Sequence, residues 1–433
     1  MFKFSLSDSL KAILLICFLL VSIAFAQTIQ AQFVKGADIS WLLQMEATGY
    51  KFYDSAGVQK NCLQILKDKG INTVRLRVWV NPSGDKINGH CSKNETVTIA
   101  LRAKEMGMRL MIDFHYSDTW ADPSHQSKPA AWASHTFSQL LIDVYNHTYE
   151  VLDTLKKSGV TPEWVQIGNE ISGGMLWPNG STSNWPQLAK LLNEGYDAAK
   201  AVDSSIKVVI HIDQGNNNSR FRYFFDNVTN QGVRYDIIGL SYYPFWLGTD
   251  YTVTINDLGN NMNDMVTRYG KEVMVVEVGG DYTLVQNTYD MLVAAIGKVD
   301  AVPDYKGLGV IYWEPEGAKS WSGYQLSCWG ADGKPTAALN AFLSNTSGLS
   351  LINTPSNFNF YPNPCSGRLL NFEFRTSEGP HNVRIFDISG RLIKQLTIFA
   401  PTGDYIILDL MPGIYFLKVD AGQYSAVKKL VVS

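Results

Sequence analysis

Cysteine is scarce in this chain and carries no metal-binding rhythm: the five in 433 residues show none of the close spacing that a zinc site requires. Charge is thin as well. Charged residues make up 18% of the sequence and the formal net charge is −3, which indicates neither a nucleic-acid surface nor a patch for acidic lipid. The glycine-rich phosphate fingerprint of a doubly wound dinucleotide-binding sheet is missing after the first strand-like segment. Beyond the N-terminal segment there is no expectation of a membrane span.

What is present points outward from the cell. Lys3 and Lys11 precede an apolar run from Ala12 to Phe25, and Ala24-Phe25-Ala26 offers a small-x-small cleavage site. That pattern predicts a signal peptide over residues 1–26 and an exported chain, with Cys17 discarded. Cys62, Cys91, Cys328 and Cys365 remain; an oxidising compartment permits disulfides among them, and Cys62 with Cys91 is the preferred pair. Hydrophobic residues, at 45%, suffice for a large core. The length suits one barrel of typical size plus a small module. The 11 Trp, 21 Tyr and 20 Phe are a supply of rings that stack on sugar C–H faces, although most such rings fill cores.

From about residue 33 to 343, short apolar runs alternate with amphipathic helical patterns. The candidate strands are VKGADIS (34–40), TVRLRVWV (73–80), RLMIDFHY (109–116), WVQIGNEI (164–171), KVVIHID (207–213), DIIGLSYY (236–243), VMVVEVG (273–279) and GLGVIYWE (307–314). Nearly continuous apolar runs fit strands buried on both faces. Eight strand–helix units predict an α/β fold, a (β/α)8 barrel. Ser92 and Glu95 form a capping-box pattern ahead of one helix. Residues 344–357 are polar and turn-rich and read as a linker. Residues 358–433 hold alternating segments between turn residues and predict a small all-β sandwich.

In such a barrel the strand C-terminal ends build the active site. The residues there are Asp38 and Trp41; Arg75, Arg77 and Trp79; Asp113, His115, Tyr116 and Asp118; Asn169 and Glu170; His211 and Asp213; Tyr242 and Tyr243; Glu277; Trp313 and Glu314. Glu170 and Glu277 sit where apolar strands four and seven meet their loops. A carboxyl there is partly desolvated, which raises its pKa toward general-acid range. Two carboxyls facing one another across a barrel mouth are what glycosidic cleavage needs.

The segments DFHYSDTWADP (113–123), QIGNEI (166–171), GMLWPNG (174–180), GADIS (36–40) and RLRVWVNP (75–82) closely resemble glycoside hydrolase family 53, the endo-β-1,4-galactanases. The resemblance covers residues 34–343. It implies a barrel enzyme that hydrolyses internal β-1,4 linkages of galactan and type I arabinogalactan with retention. It also implies Glu170 as acid/base, Glu277 as nucleophile and Asn169 as the partner of the sugar 2-hydroxyl. His115, Tyr242 and Trp313 are expected at the cleavage point, and Trp120 and Trp177 against flanking sugars. Arg77 or Arg75 would keep Glu277 ionised by charge pairing. After Glu277 the chain reads EVGGDYTLVQNTYD, where many relatives carry a longer acidic loop and some bind calcium. Asp281 cannot supply six to eight oxygen ligands alone, so no metal or other cofactor is expected.

YPNPCSG (361–367), VRIFDISGRLI (383–393), LMPGIYFLKV (410–419) and KKLVV (428–432) resemble the C-terminal sorting domain of type IX secretion. That implies contact with secretion machinery and a secreted or cell-surface location; the alternative is a carbohydrate-binding sandwich. The leading expectation is a monomeric, exported galactan hydrolase. Its rivals are another retaining endoglycanase, such as a mannanase or glucanase, and a non-catalytic polysaccharide-binding protein.

Overall fold

The computed structural model describes residues 32–343 and, beyond them, 358–365, 369–374, 381–387, 391–398, 402–406, 410–421 and 424–432. The expected signal peptide and the expected linker at 344–357 lie outside the described residues.

Eight parallel strands close into a barrel: β1 (Val34–Asp38), β2 (Thr73–Val78), β3 (Arg109–Phe114), β4 (Trp164–Ile167), β5 (Lys207–Ile212), β6 (Ile237–Tyr242), β7 (Glu272–Val278) and β8 (Gly307–Trp313). Neighbours in sequence are neighbours in the barrel, and β1 closes on β8 with Val34 opposite Gly309 and Asp38 opposite Trp313. Strands β2 and β6 are buried at every residue, as expected where helices cover the outer face and side chains fill the inside. Helices follow the strands, among them Lys93–Glu105, Phe137–Lys157 and Tyr251–Tyr269. Ser92 and Glu95 do form the reciprocal capping box. Helix Phe137–Lys157 turns Leu140, Val144, Thr148, Val151, Leu152 and Leu155 inward, the spacing of one helical face.

The barrel interior has two levels. Val34, Met111, Trp164, Val209, Ile237, Met274, Val276 and Ile311 pack into one apolar cluster. Two residues further along their strands stand Asp113, Gln166 and His211, all fully buried, because inward positions recur with period two. Strand β7 breaks that period. Leu240 pairs with Val275 but Ser241 pairs with Glu277, so one extra residue lies on β7. Such a bulge re-aims a side chain, and here Glu277 comes to the interior one residue after inward-facing Val276.

The C-terminal residues form two antiparallel sheets. One has the order β9 (Phe358–Tyr361), β10 (Leu369–Phe374), β13 (Thr402–Ile406); the other has the order β12 (Leu392–Ile398), β11 (His381–Asp387), β14 (Gly413–Ala421), β15 (Tyr424–Val432). Leu370, Phe372, Ile385, Leu417 and Leu430 belong to their shared core.

Cys62, Cys91 and Cys328 are buried and free, which corrects the expected Cys62–Cys91 disulfide. The two thiols occupy different surroundings: Cys62 lies near Glu46, Arg102 and Glu316, whereas Cys91 lies beside Arg77 and points its Sγ at the Ser40 carbonyl, 3.9 Å away. Among the described residues no helix is long and apolar enough to cross a membrane.

Candidate active site

A cavity of about 420 Å³ opens at the C-terminal rim of the barrel, and Glu170, Glu277, Asn169, His115, Trp120 and Trp313 all line it. Strand β4 stops at Ile167 because Gly168 takes a positive φ of 80°, a conformation cheap only for glycine. Glu170 follows with φ 47° and ψ 48°, an uncommon left-handed state for a side-chain-bearing residue. That turn brings the Glu170 carboxyl to Ser241 on β6, whose Oγ donates to Oε1 over 2.6 Å.

Glu277 is held from below. Arg75 Nη2 lies 2.9 Å from its Oε1, a charge contact rather than a directed hydrogen bond, and the Tyr243 hydroxyl donates to Oε2 over 3.2 Å. Arg75 is fully buried and ties β2 to three other strands or their ends: it donates to Asp38 over 2.8 Å, to Asp113 over 2.8 Å, to Gln166 over 3.1 Å and to Asn169 Oδ1 over 3.0 Å. One guanidinium thus faces three carboxyls. Burial therefore dominates at Glu277, and with the charges of Asp113 and Asp38 it pushes the carboxyl up to about 7, although Arg75 pulls the other way. At Glu170 burial and then the nearby Glu277 charge push the carboxyl well above its usual range, with Ser241 opposing them. Of the two, Glu277 has the direct cationic support and releases its proton first.

Other acidic groups at this rim are already engaged. Asp213 is held by Arg220 at 2.9 Å and Ser172 at 2.5 Å. Asp122 accepts the backbone N–H groups of Ser124 and His125. Asp38, Asp113, Glu314 and Glu316 are fully buried and do not line the cavity. Glu170 and Glu277 remain as the carboxyls free to meet a ligand.

Not every expected residue reaches the cavity. Tyr242 is fully buried and points its hydroxyl at Thr254 Oγ1, 3.0 Å away. Strand alternation turns Ser241 and Tyr243 inward and Tyr242 toward the helices, so Tyr243 takes the position expected for Tyr242. Arg77 lies behind the wall, ion-paired with Glu314 and 4.5 Å from the centroid of the Trp120 ring; Arg75 is the arginine at Glu277. Trp177 does not line the cavity, and its indole N–H donates to the Gly173 carbonyl over 2.9 Å. His115 does line it, but both ring nitrogens are committed: Nδ1 accepts from Trp79 Nε1 at 3.0 Å and from the Ala121 N–H at 3.2 Å, while Nε2 faces Asp113 at 3.0 Å. His115 is a wall.

Trp313 and Tyr324 meet edge to face at 4.8 Å, and Trp120 stands 5.8 Å from Trp313, giving the cavity an aromatic side. Trp246, 63% exposed, also lines the cavity, from the turn after β6. Ser241, Gln166, Tyr324 and Trp246 escaped sequence reasoning. Ser241 was legible in principle, two residues before Tyr243 on an alternating strand; Tyr324 lies in a loop past β8 with no periodic signal. Asp281 spends its carboxylate on Thr283 and Gln325. Among the described residues no group of three or more His, Cys, Asp or Glu side chains is disposed to hold a metal ion.

Comparison with known proteins agrees with this geometry. A model of glycosyl hydrolase family 53 matches residues 34–399. A probable arabinogalactan endo-β-1,4-galactanase A of Aspergillus terreus is 37% identical over 317 residues, which is 68% of this chain and 88% of that protein. Among solved structures, the family 53 catalytic domain from Ignisphaera aggregans is 33% identical, covers 73% of this chain and 97% of its own, and superposes with a TM-score of 0.68. A fungal β-1,4-galactanase is 31% identical over 73% of this chain and 100% of its own, with a TM-score of 0.66.

Proposed function

The chain belongs to glycosyl hydrolase family 53 and is a glycoside hydrolase, and from that premise we propose that it cleaves internal β-1,4-galactosidic bonds of galactan and type I arabinogalactan by double displacement. The observation that carries the mechanism is the pair of cavity-lining carboxyls with unequal support, Glu277 beside Arg75 and Glu170 without a cationic partner of its own. Ionised Glu277 attacks the anomeric carbon as the bond to the leaving oxygen breaks, and Glu170 gives that oxygen its proton. A glycosyl ester of Glu277 results. Water then attacks the same carbon, Glu170 takes up its proton, and Glu277 leaves as carboxylate. Asn169, with Oδ1 turned to Arg75 and one N–H on the Ala121 carbonyl, has its other N–H for the sugar 2-hydroxyl. Trp313, Trp120 and Trp246 offer ring faces to sugar C–H surfaces.

Purified protein is assayed on linear β-1,4-galactan, mannan and cellulose, with the first product followed by proton NMR. The reading expects galactan cleavage to β-configured reducing ends. Mannan cleavage with inert galactan overturns the substrate, and an α-configured first product overturns the double displacement.

The N-terminal segment and the C-terminal sandwich support export, with the sandwich as a type IX sorting module that leaves the enzyme secreted or on the cell surface. A chain ending at residue 343, expressed in a host with that pathway, then stays behind the outer membrane. Its appearance in the medium would remove the sorting role.

A further inference from the structure

Resting on the reading of Glu170 as proton donor, we infer that Ser241 is a positioning residue that decides which Glu170 oxygen carries the catalytic proton. His211, behind Ser241, sets the direction of the serine hydrogen. Its Nδ1 receives the Glu170 backbone N–H at 3.4 Å, a group that can only donate, and the Gln166 side-chain amide at 3.0 Å. The Gln166 amide is oriented independently, since its Oε1 accepts from Arg75 and its Nε2 donates to Asp113 over 2.6 Å, the second hydrogen being shared among Nδ1, Asn169 Oδ1 at 3.0 Å and the Gly168 carbonyl at 3.2 Å. Asn169 Oδ1, which accepts from Arg75, also lies 3.1 Å from Nδ1; with the Glu170 N–H aimed at that nitrogen and able only to donate, we assign the ring hydrogen to Nε2. Nε2 lies 2.7 Å from Ser241 Oγ and donates to it. The hydrogen of Ser241 is then directed to Glu170 Oε1 at 2.6 Å. Oε1 accepts, and the acid proton belongs on Oε2.

The relay acts twice in the cycle. Before cleavage it holds the proton on Oε2. After transfer it donates to the newly formed carboxylate at Oε1, a charge-assisted bond stronger than the neutral one it replaces. The charged and titratable groups that face Glu170 from other elements are Glu277 on β7, Asp213 on the loop after β5 with its partner Arg220, Asp122 on the loop after β3, and the Tyr243 and Tyr324 hydroxyls. His211 stays neutral beside them, because burial first, and then Arg75 and His115, disfavour its charged form.

The test compares Ser241→Ala and Ser241→Thr with the unaltered enzyme, following kcat/KM against pH on linear β-1,4-galactan and on a dinitrophenyl β-galactobioside, whose leaving group needs no proton. Ser241→Ala is expected to lose about tenfold to a hundredfold on galactan and markedly less on the aryl substrate, which also reports a folded site. Without the Ser241 donor the Glu170 carboxylate is less favoured, so the alkaline limb moves up by about one pH unit. Ser241→Thr, which keeps the hydroxyl, restores limb and rate. An unmoved alkaline limb, or equal losses on both substrates, overturns the relay. Glu170→Gln is run alongside: galactan activity surviving that change strikes the parent reading instead.

Discussion

At the scale of single residues, Glu170 and Glu277 are separated in role by their neighbours rather than by type. Replacing either by Gln keeps shape and removes the ionisable group. Turnover on galactan is expected to fall by about three orders of magnitude or more, with the circular dichroism spectrum unchanged. The first step needs Glu277 ionised and Glu170 protonated. Activity therefore rises as pH climbs through the Glu277 value, about 7, and falls through that of Glu170, which burial holds higher. A kcat/KM profile should show its acid limb well above the ordinary carboxyl range; a limb near 4 would contradict the burial argument. Folding raises the pKa of Glu170, so stability is lost between the unfolded carboxyl value and the raised folded one as pH increases. Calorimetry at pH 9 should accordingly find Glu170→Gln melting above the parent. Both glutamates were legible as acids ending apolar strands. The partners that tune them were less so: Ser241 is small and ordinary in sequence, and Tyr324 arrives from a loop.

Among the elements, the eight strands were visible because each is a near-continuous apolar run. Their phase was not. The bulge on β7 adds a residue that no pattern of hydrophobicity announces, and the Tyr242–Tyr243 pair reads alike until one strand face is known. Closure of the barrel depends on a residue with no side chain. At the β1–β8 seam Gly309 has φ 156°, and a Cβ there would stand 2.1 Å from the Val34 carbonyl oxygen. The next atoms are the Cβ and Cα of the same Val34, at 2.4 and 2.6 Å, none of them the end of a flexible side chain, so Gly309→Ala should cost more than the 1–3 kcal/mol or so of ordinary core overpacking. A lowered thermal midpoint and poor soluble yield would be the readout; a melting curve matching the parent would show that the seam can open.

For the molecule as a whole, composition and length foretold one large barrel and a small β module, and both are present. The disulfide was misjudged, since export permits such bonds without requiring them and spacing says nothing of direction. With Cys62, Cys91 and Cys328 buried and free, a thiol reagent should find none of these three in the native protein lacking residues 1–26, and all three after guanidinium is added. Dithiothreitol should leave the melting temperature where it was. The barrel's three thiols, Cys62, Cys91 and Cys328, consequently ask for no oxidant between ribosome and activity. Those three side chains can mature on either side of a redox boundary and emerge in the same covalent state.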